Sequence, residues 1–159
     1  MDAIRKKIFP SPTYSSEERD AAYRSFVLIG SFVSRCGLAP LLDGTGHKKI
    51  WREFARNECP YFIEIYIKCP LELCIERETM RTDGDANVRK QLYAAALERL
   101  RTGEKKDNNL GIVPGVDEPF EEPLHPEIVL DSGKEKPSVL VDIALDKLSK
   151  FDPEIFSLN

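Results

Sequence analysis

The stretch Leu38-Ala-Pro-Leu-Leu-Asp43-Gly-Thr-Gly-His47-Lys-Lys-Ile-Trp-Arg52 has the pattern of a strand, a glycine turn and a helix. Its apolar first part ends at Asp43, and the glycines on either side of Thr45 allow a sharp turn before a basic amphipathic segment. In open α/β sheets, ligands bind beyond the carboxyl ends of the strands, and the exposed N–H groups at a helix start favour phosphate. The stretch therefore predicts a phosphate-handling site at this turn.

The rest of the chain alternates between helical and strand patterns. Ser15 and Glu18 have the spacing of a capping box, which predicts a helix from about 17 to 36 with Gly37 just after its end. Strands are predicted at 38–43, 61–68 and 127–131, and further helices at 48–57, after Pro70, at 88–100 and at 138–150. Such alternation predicts parallel strands in an α/β domain, although three strands are few for so many helices.

Length and composition fit one compact domain covering 1–159. The chain has 159 residues, of which 42% are hydrophobic and 31% charged. A net charge of −4 and a pI near 5.3 argue against general nucleic-acid or anionic-membrane binding, which needs a basic face. No apolar segment follows the basic N-terminus, and no run approaches the roughly 18 apolar residues of a membrane span. We expect a soluble, cytoplasmic protein without a nucleic-acid or membrane partner.

The four cysteines are scattered. Cys36, Cys59, Cys69 and Cys74 lie 23, 10 and 5 residues apart, with no C-x-x-C pair and only two histidines in the chain. This spacing indicates neither a zinc site nor a redox pair, and no other metal-ligating set is predicted. Apolar surroundings are typical of reduced cysteines in the core of a cytosolic protein.

Six further motifs occur in a fixed order. They are Asp2-Ala-Ile-Arg5, Tyr14-Ser-Ser-Glu-Glu-Arg19, Cys69-Pro-Leu-Glu-Leu-Cys74 with Arg77, Lys90-Gln-Leu-Tyr93, Gly115-Val-Asp-Glu-Pro-Phe-Glu-Glu-Pro123 and Pro126-Glu-Ile-Val-Leu-Asp131. Together they resemble the adenylylsulfate kinase family of P-loop kinases, whose patterns are D-x-x-R, F-S-x-E-D-R, T-P-L-E-V-C-x-x-R, K-G-L-Y, G-I-D-x-P-Y-E-x-P and P-E-x-V-x-D. The resemblance covers essentially the whole chain.

The resemblance implies a three-layer, P-loop NTPase-like parallel sheet flanked by helices. Members of the family begin with a strand, a Walker A loop and a helix before the D-x-x-R segment, and no G-x-x-x-x-G-K-[ST] occurs in this sequence. We therefore expect a domain that lacks the first strand and the P-loop, with a flap at about 79–126. Either the chain begins at an internal methionine of a longer reading frame, or it is a natural remnant. A missing central strand would leave apolar faces uncovered and favour a homo-oligomer.

The family reaction transfers the γ-phosphoryl group of ATP, with Mg²⁺, to the 3′-hydroxyl of adenylylsulfate, mainly by positioning and charge neutralisation. By resemblance, Asp2 orients or deprotonates the acceptor hydroxyl. Arg5 and Arg19 bind the phosphosulfate of the acceptor, and Tyr14 stacks on its adenine. The alternatives are a frayed terminus for Asp2, solvated positions for the arginines and loop packing for Tyr14.

The glycine turn and the flap complete the predicted site. Asp43 is predicted to act near the Mg²⁺ ion or the attacking hydroxyl, and Thr45 and His47 to lie on the acceptor side. The remaining predicted contacts come from the flap: Lys90 to the substrate, and Arg77 and Arg81 to the nucleotide. Capping or packing is the alternative for His47, and a solvated charged face is the alternative for the flap cations.

The sequence departs from the family pattern at three places. Ala22 stands where the family has Asn, Val113 stands where it has a stacking aromatic, and Thr45-Gly-His47 replaces S-P-Y. These departures weaken the case for adenylylsulfate itself, so the activity class is better supported than the substrate. The first hypothesis is a phosphotransferase that acts on adenylylsulfate or a related small acceptor. The second is a non-catalytic nucleotide-binding or interaction module that has lost the ATP cradle.

Overall fold

The computed structural model of the chain describes residues 2–13, 15–80, 91–103 and 111–151, with side chains from residue 4 onward. The elements are α1 (Asp2–Ile8), α2 (Ser16–Arg35), α3 (Lys49–Glu58), β1 (Ile65–Lys68), α4 (Leu71–Thr79), α5 (Leu92–Thr102), β2 (Ile128–Asp131) and α6 (Pro137–Leu148). No helix in these ranges is long and apolar enough to cross a membrane.

Helix α2 begins where the capping box predicts. The Ser15 hydroxyl accepts a hydrogen bond from the backbone N–H of Glu18 at 3.2 Å. The buried face of α2 packs against α3 and against residues just beyond the C-terminus of α2. A Cβ atom on Gly30 would lie 2.7 Å from a methyl carbon of Leu42, so glycine allows the close approach of residues 38–43 to the helix.

The two strands form a parallel pair. The register aligns Ile65 with Ile128 and Lys68 with Asp131. Helix α6 covers one face of the pair, where the core residues are Ile128, Leu130 and Leu140, with Ile63, Ile65, Ile143, Ala144 and Leu148 packed around them. A small parallel sheet flanked by helices is the α/β fold class that the sequence predicts.

The prediction of a strand at 38–43 is wrong. This segment runs along α2 without forming a ladder, because the described residues supply no third strand beside it. Leu42 is half-buried against α2, whereas Leu41 on the other side is 86% exposed. The exposure of successive side chains therefore alternates as it does in a strand, but the described residues supply no hydrogen-bonding partner for this segment. The strand predicted at 61–68 is shortened to Ile65–Lys68 because only those residues face β2.

Large apolar side chains are exposed around this region. Phe32 on α2 is 65% exposed and Ile67 on β1 is 60% exposed. Helices α2 and α3 contact each other, whereas β1 contacts β2 and β2 contacts α6. These uncovered surfaces agree with the expectation from the sequence, and self-association through them stays a prediction.

Candidate functional site

Three aromatic side chains from α2, α3 and the turn before α3 form a buried stack, here called the aromatic wall: Tyr23, His47 and Trp51. The Tyr23 and Trp51 rings are stacked, with centroids 4.0 Å apart and planes at 9°. The His47 ring meets Trp51 edge-on, at 5.0 Å and 84°. Such aromatic pairs stabilise the fold beyond the effect of the area they bury, so the wall is a rigid support for the residues packed next to it.

The wall fixes the glycine turn identified from the sequence. The backbone N–H of Gly46 donates to the Tyr23 hydroxyl at 2.9 Å, and Gly46 has the positive φ of +52° that glycine tolerates. The indole Nε1 of Trp51 donates to Oδ1 of Asp20 at 3.0 Å, which ties α3 to α2. The turn is thus held at a set position by buried polar contacts.

His47 lies inside the wall and is 1% exposed. Its Nε2 is 3.2 Å from Oε2 of Glu118, and its buried Nδ1 has no hydrogen-bond partner among the residues that the structure describes. Burial lowers the pKa of His47 below its ordinary value, and the hydrogen bond with Glu118 opposes this shift only in part. The structure therefore favours the packing alternative for His47, in which the ring joins the turn to the 113–118 loop.

Glu118 receives charge-assisted contacts from the turn. Lys48 Nζ lies 3.2 Å from the same carboxylate oxygen as His47. Burial opposes the charged form of Glu118, but hydrogen bonds from His47 and Lys48 outweigh it and lower the pKa of Glu118 below its ordinary value. At neutral pH, a charged carboxylate is therefore held against the wall.

The 111–121 loop is bonded to α2 and to the turn. Arg19 Nη2 donates to the carbonyl oxygen of Ile112 at 3.1 Å, and the backbone N–H of Glu121 donates to the carbonyl oxygen of His47 at 2.9 Å. Oδ2 of Asp117 in this loop accepts from the Val113 N–H at 2.7 Å and from Arg99 of α5 at 2.7 Å. This part of the predicted flap is thus attached to the candidate site.

Arg5 and Arg19 are each 8% exposed, which is low for arginine. Helix α1, which carries Arg5, packs on α2, which carries Arg19. The solvated alternative for these arginines is therefore wrong, because both side chains are largely buried. Ala22 and Val113, the departures from the family pattern, are also buried and add apolar surface.

The other predicted site residues are distributed as follows. Asp43 and Thr45 lie exposed at the glycine turn. Tyr14, Arg81 and Lys90, together with the side chain of Asp2, lie outside the described residues, and their roles stay predictions.

Arg77 lies in a different place from Arg5 and Arg19. Helix α4 packs on α5, whereas α2 packs on α1 and α3. Arg77 Nη2 donates to the carbonyl oxygen of Ser132 at 2.7 Å, beyond the carboxyl ends of the strands. We call this second region, formed by residues 68–70 and 131–133 with Arg77, the strand edge. Ligands of open α/β sheets bind at such an edge.

Helix α3 is clamped to the residues just before β1 and β2, at the amino ends of the strands. Arg56 donates to both carboxylate oxygens of Glu127, at 2.6 and 3.0 Å, and Arg52 Nε lies 2.8 Å from Glu64. A cleft of about 400 Å³ opens here, lined by Lys49, Arg52, Glu53, Arg56, Glu64, Pro123, Leu124, His125 and Glu127. Its arginines pair with its own carboxylates, so its chemistry is that of a structural clamp.

Within the described ranges, no group of three His, Cys, Asp or Glu side chains is arranged to hold a metal ion.

Sequence reasoning missed Tyr23 and Glu118. Tyr23 follows Arg19 by one helical turn, so the two share a face of α2. That spacing was a usable signal. Glu118 is the variable position of the G-I-D-x-P motif, and its partner His47 is 71 residues away in the chain, so no local pattern could join them.

The parallel α/β sheet flanked by helices defines the fold class, and the aromatic wall with its glycine turn is the candidate site. The sequence profile described as adenylylsulphate kinase matches residues 1–131. A probable adenylyl-sulfate kinase of Archaeoglobus fulgidus is 34% identical over 133 residues, which are 84% of this chain and 74% of that protein. The chain therefore belongs to the adenylylsulphate kinase family, a family of ATP-dependent kinases.

Two further relatives give the same result. A probable adenylyl-sulfate kinase of Pyrococcus abyssi is 30% identical over 92% of this chain and 73% of its own length. The adenylyl-sulfate kinase of Gloeothece citriformis is 27% identical over 94% of this chain and 74% of its own length.

Proposed function

We propose that the aromatic wall, the glycine turn and the Arg5 and Arg19 pair form the acceptor side of a phosphotransferase. The acceptor is adenylylsulfate or a related small anionic molecule with a free hydroxyl group. The phosphoryl donor is ATP with Mg²⁺, as the family implies.

The observation that carries the proposal is the convergence of three distant segments on one wall. Arg19 of α2 bonds the 111–121 loop, the turn bonds Tyr23 of α2, and His47 of the turn bonds Glu118 of the loop. These segments carry the second motif, the glycine turn and the G-V-D-E-P motif. Local sequence patterns do not require them to meet, so their meeting supports one shared site.

In this proposal, each residue has a task that its chemistry allows. Arg5 and Arg19 bind the anionic group, because a guanidinium presents planar paired donors to a phosphate or sulfate. Asp2 or Asp43 accepts the proton of the attacking hydroxyl, a contribution typically worth about 10²–10⁴ in rate. His47 is a positioning residue that keeps the turn and the loop together.

One pair of observations favours the second candidate, a non-catalytic binding module. Ala22 and Val113 are buried apolar residues where the family has an amide that contacts the acceptor and an aromatic ring that stacks on its adenine, so one polar contact and one stacking partner are lost. A module of this kind would bind the anion and transfer nothing.

Isothermal titration calorimetry of the 159-residue chain with adenylylsulfate, and separately with MgATP, tests the proposal. A phosphoryl-transfer assay with both ligands completes the test. Saturable binding of adenylylsulfate supports the acceptor site, and product formation supports the phosphotransferase. Acceptor binding without transfer favours the binding module. Failure of adenylylsulfate and inorganic pyrophosphate to bind contradicts an anion site on the wall.

A further inference from the structure

Two cysteines lie on either side of the start of α4. Pro70 is the N-cap of this helix, so Cys69 occupies the N′ position and Cys74 the N4 position. Side chains at N′ and N4 pack against each other across a helix start, in the contact called the hydrophobic staple. Here the staple joins two thiols, and both are half-buried and free of disulfide bonds.

Arg77 distinguishes the two sulfurs. Its Nη1 donates to Sγ of Cys69 at 3.7 Å, while its Nη2 bonds the carbonyl oxygen of Ser132. A neighbouring guanidinium stabilises negative charge that develops on sulfur, and reactive cysteines occupy such electropositive, partly exposed places. Burial, and next its hydrogen bond with Cys69, raises the pKa of the Cys74 thiol to about 11. The first sulfur to react is therefore Cys69, and Cys74 is the resolving thiol.

We propose that Cys69 and Cys74 are a peroxide-sensitive dithiol that closes reversibly to a disulfide at the carboxyl end of β1. The spacing of Cys69 and Cys74 in the sequence does not by itself indicate a redox pair. Their positions at N′ and N4 of α4 place the two residues close together, which the spacing does not show. This inference stands apart from the proposed function, since it uses none of the residues of the aromatic wall.

The chemistry has two steps. The Cys69 sulfur attacks one oxygen of hydrogen peroxide, the O–O bond breaks, and a sulfenic acid and one water molecule result. The Cys74 sulfur then displaces the sulfenic hydroxyl, which leaves as a second water molecule with the proton of the Cys74 thiol. Two thiols lose two electrons and two protons, and one peroxide is reduced to two waters.

The disulfide would act on the strand edge. Arg77 loses the Cys69 sulfur as an acceptor and keeps Ser132, whose own N–H donates to the carbonyl oxygen of Lys68 at 2.9 Å. A Cβ on Gly133 would lie 3.1 Å from Cδ of Pro70, so the loop after β2 packs tightly on the start of α4. A shift of Cys69 is therefore transmitted to the loop that follows β2.

The test uses the full chain and hydrogen peroxide. Trypsin cuts after Lys68 and after Arg77, so both cysteines fall in one peptide, 69–77. After peroxide treatment and alkylation of the remaining thiols, we expect this peptide to carry no alkyl group and to be lighter than the reduced, unalkylated peptide by about 2 Da, the mass of two hydrogens. A dithiol reductant restores the original mass.

Three variants distinguish oxidation of the Cys69 and Cys74 pair from general oxidation of cysteines. Cys36→Ser removes the exposed cysteine at the end of α2, and we expect the same closed peptide as in the parent chain. Cys74→Ser removes the resolving thiol, and we expect sulfenic acid or its overoxidised forms at Cys69 in place of the disulfide. Cys69→Ser should leave Cys74 unoxidised under the same peroxide dose.

Three results would overturn the proposal. They are a disulfide from Cys69 to Cys36 or Cys59, a disulfide between two chains on a non-reducing gel, and overoxidation of Cys69 in the parent chain without closure. Capture by phenylarsine oxide, which bridges neighbouring thiols, checks the proximity without oxidation. A bridged adduct on peptide 69–77 supports the pair, and two separate adducts would contradict it.

Discussion

The aromatic wall and the strand edge differ in how completely they are buried and paired. In the wall, the Tyr23 hydroxyl, the Trp51 indole and the His47 imidazole all have protein partners, and the three side chains are buried. At the strand edge, Lys68 and Arg77 are exposed, and the nearby apolar side chain of Ile67 is 60% exposed. The wall is therefore organised by the fold itself, whereas the strand edge keeps surface that other groups can contact.

The rigid, buried wall suits a site that positions a substrate. A site that must hold an acceptor in one orientation benefits from rigid support, because positioning supplies much of the rate in phosphoryl transfer. The acceptor side of the proposed site has this support in the described residues. The strand edge has the reactive features instead, which are an exposed arginine and a pair of thiols.

The largest expected effect comes from removing the centre of the wall. Trp51→Ala deletes the stack with Tyr23, the edge contact with His47 and the hydrogen bond to Asp20. We expect the free energy of unfolding to fall by about 3–5 kcal/mol, measured by urea denaturation followed by far-ultraviolet circular dichroism.

Tyr61→Ala is the matched control for Trp51→Ala, because Tyr61 is 83% exposed. We expect a change within about 0.5 kcal/mol. An equal loss of stability in both variants would show that the wall is not a distinct support.

A smaller effect on stability is expected from the clamp between α3 and the residues just before β1 and β2. Glu127→Gln replaces a carboxylate that Arg56 contacts with both terminal nitrogens and that also accepts from the Glu64 N–H at 2.7 Å. Because Arg56 is partly exposed, we expect a loss of about 1 kcal/mol or less in denaturant unfolding. Glu122→Gln, at an exposed position with a longer 3.7 Å contact to Lys68, should be neutral. The reverse order of the two variants would contradict the clamp.

The smallest effect is a pH dependence that arises in the wall. Burial lowers the pKa of His47, so the unfolded chain binds the proton of this histidine more tightly than the folded chain does. Stability should therefore fall as the pH decreases from about 6.5, the ordinary histidine value, through the lower folded pKa. We expect the melting temperature to decrease between about pH 7 and pH 5, and to decrease less in His47→Gln.

The same slope in the parent chain and in His47→Gln would assign the pH dependence to other groups. The lowered pKa of Glu118 adds a further loss of stability only at lower pH, as that carboxylate becomes protonated.

Local patterns predicted most helices well and the sheet less well. The helix predicted at 17–36 is Ser16–Arg35, and the helix predicted at 138–150 is Pro137–Leu148, because capping residues and helical spacing are local signals. The segment 38–43 has the apolar run of a strand but forms no ladder, since a strand also needs a partner from elsewhere in the sequence and the described residues supply none beside it.

The candidate site was predicted in parts. The glycine turn and Arg19 were identified from motifs, and the structure brings them to one wall. The burial of His47 was not predictable, because it depends on Trp51 and on Glu118, which no local spacing relates to each other. The proximity of Cys69 and Cys74 was not predicted, because it depends on where helix α4 starts, which places them at N′ and N4.

We propose that Arg19, supported by the aromatic wall, binds an anionic acceptor. The most direct measurement is the dissociation constant of adenylylsulfate for the parent chain, Arg19→Lys and Arg24→Ala. Arg24 lies on the same helix, is exposed and pairs with Asp20, so it serves as the control. We predict that Arg19→Lys weakens binding by about 10-fold or more, because lysine keeps the charge but loses the paired donors, and that Arg24→Ala leaves it unchanged. Equal affinities in all three proteins, with unchanged melting curves, would contradict the claim.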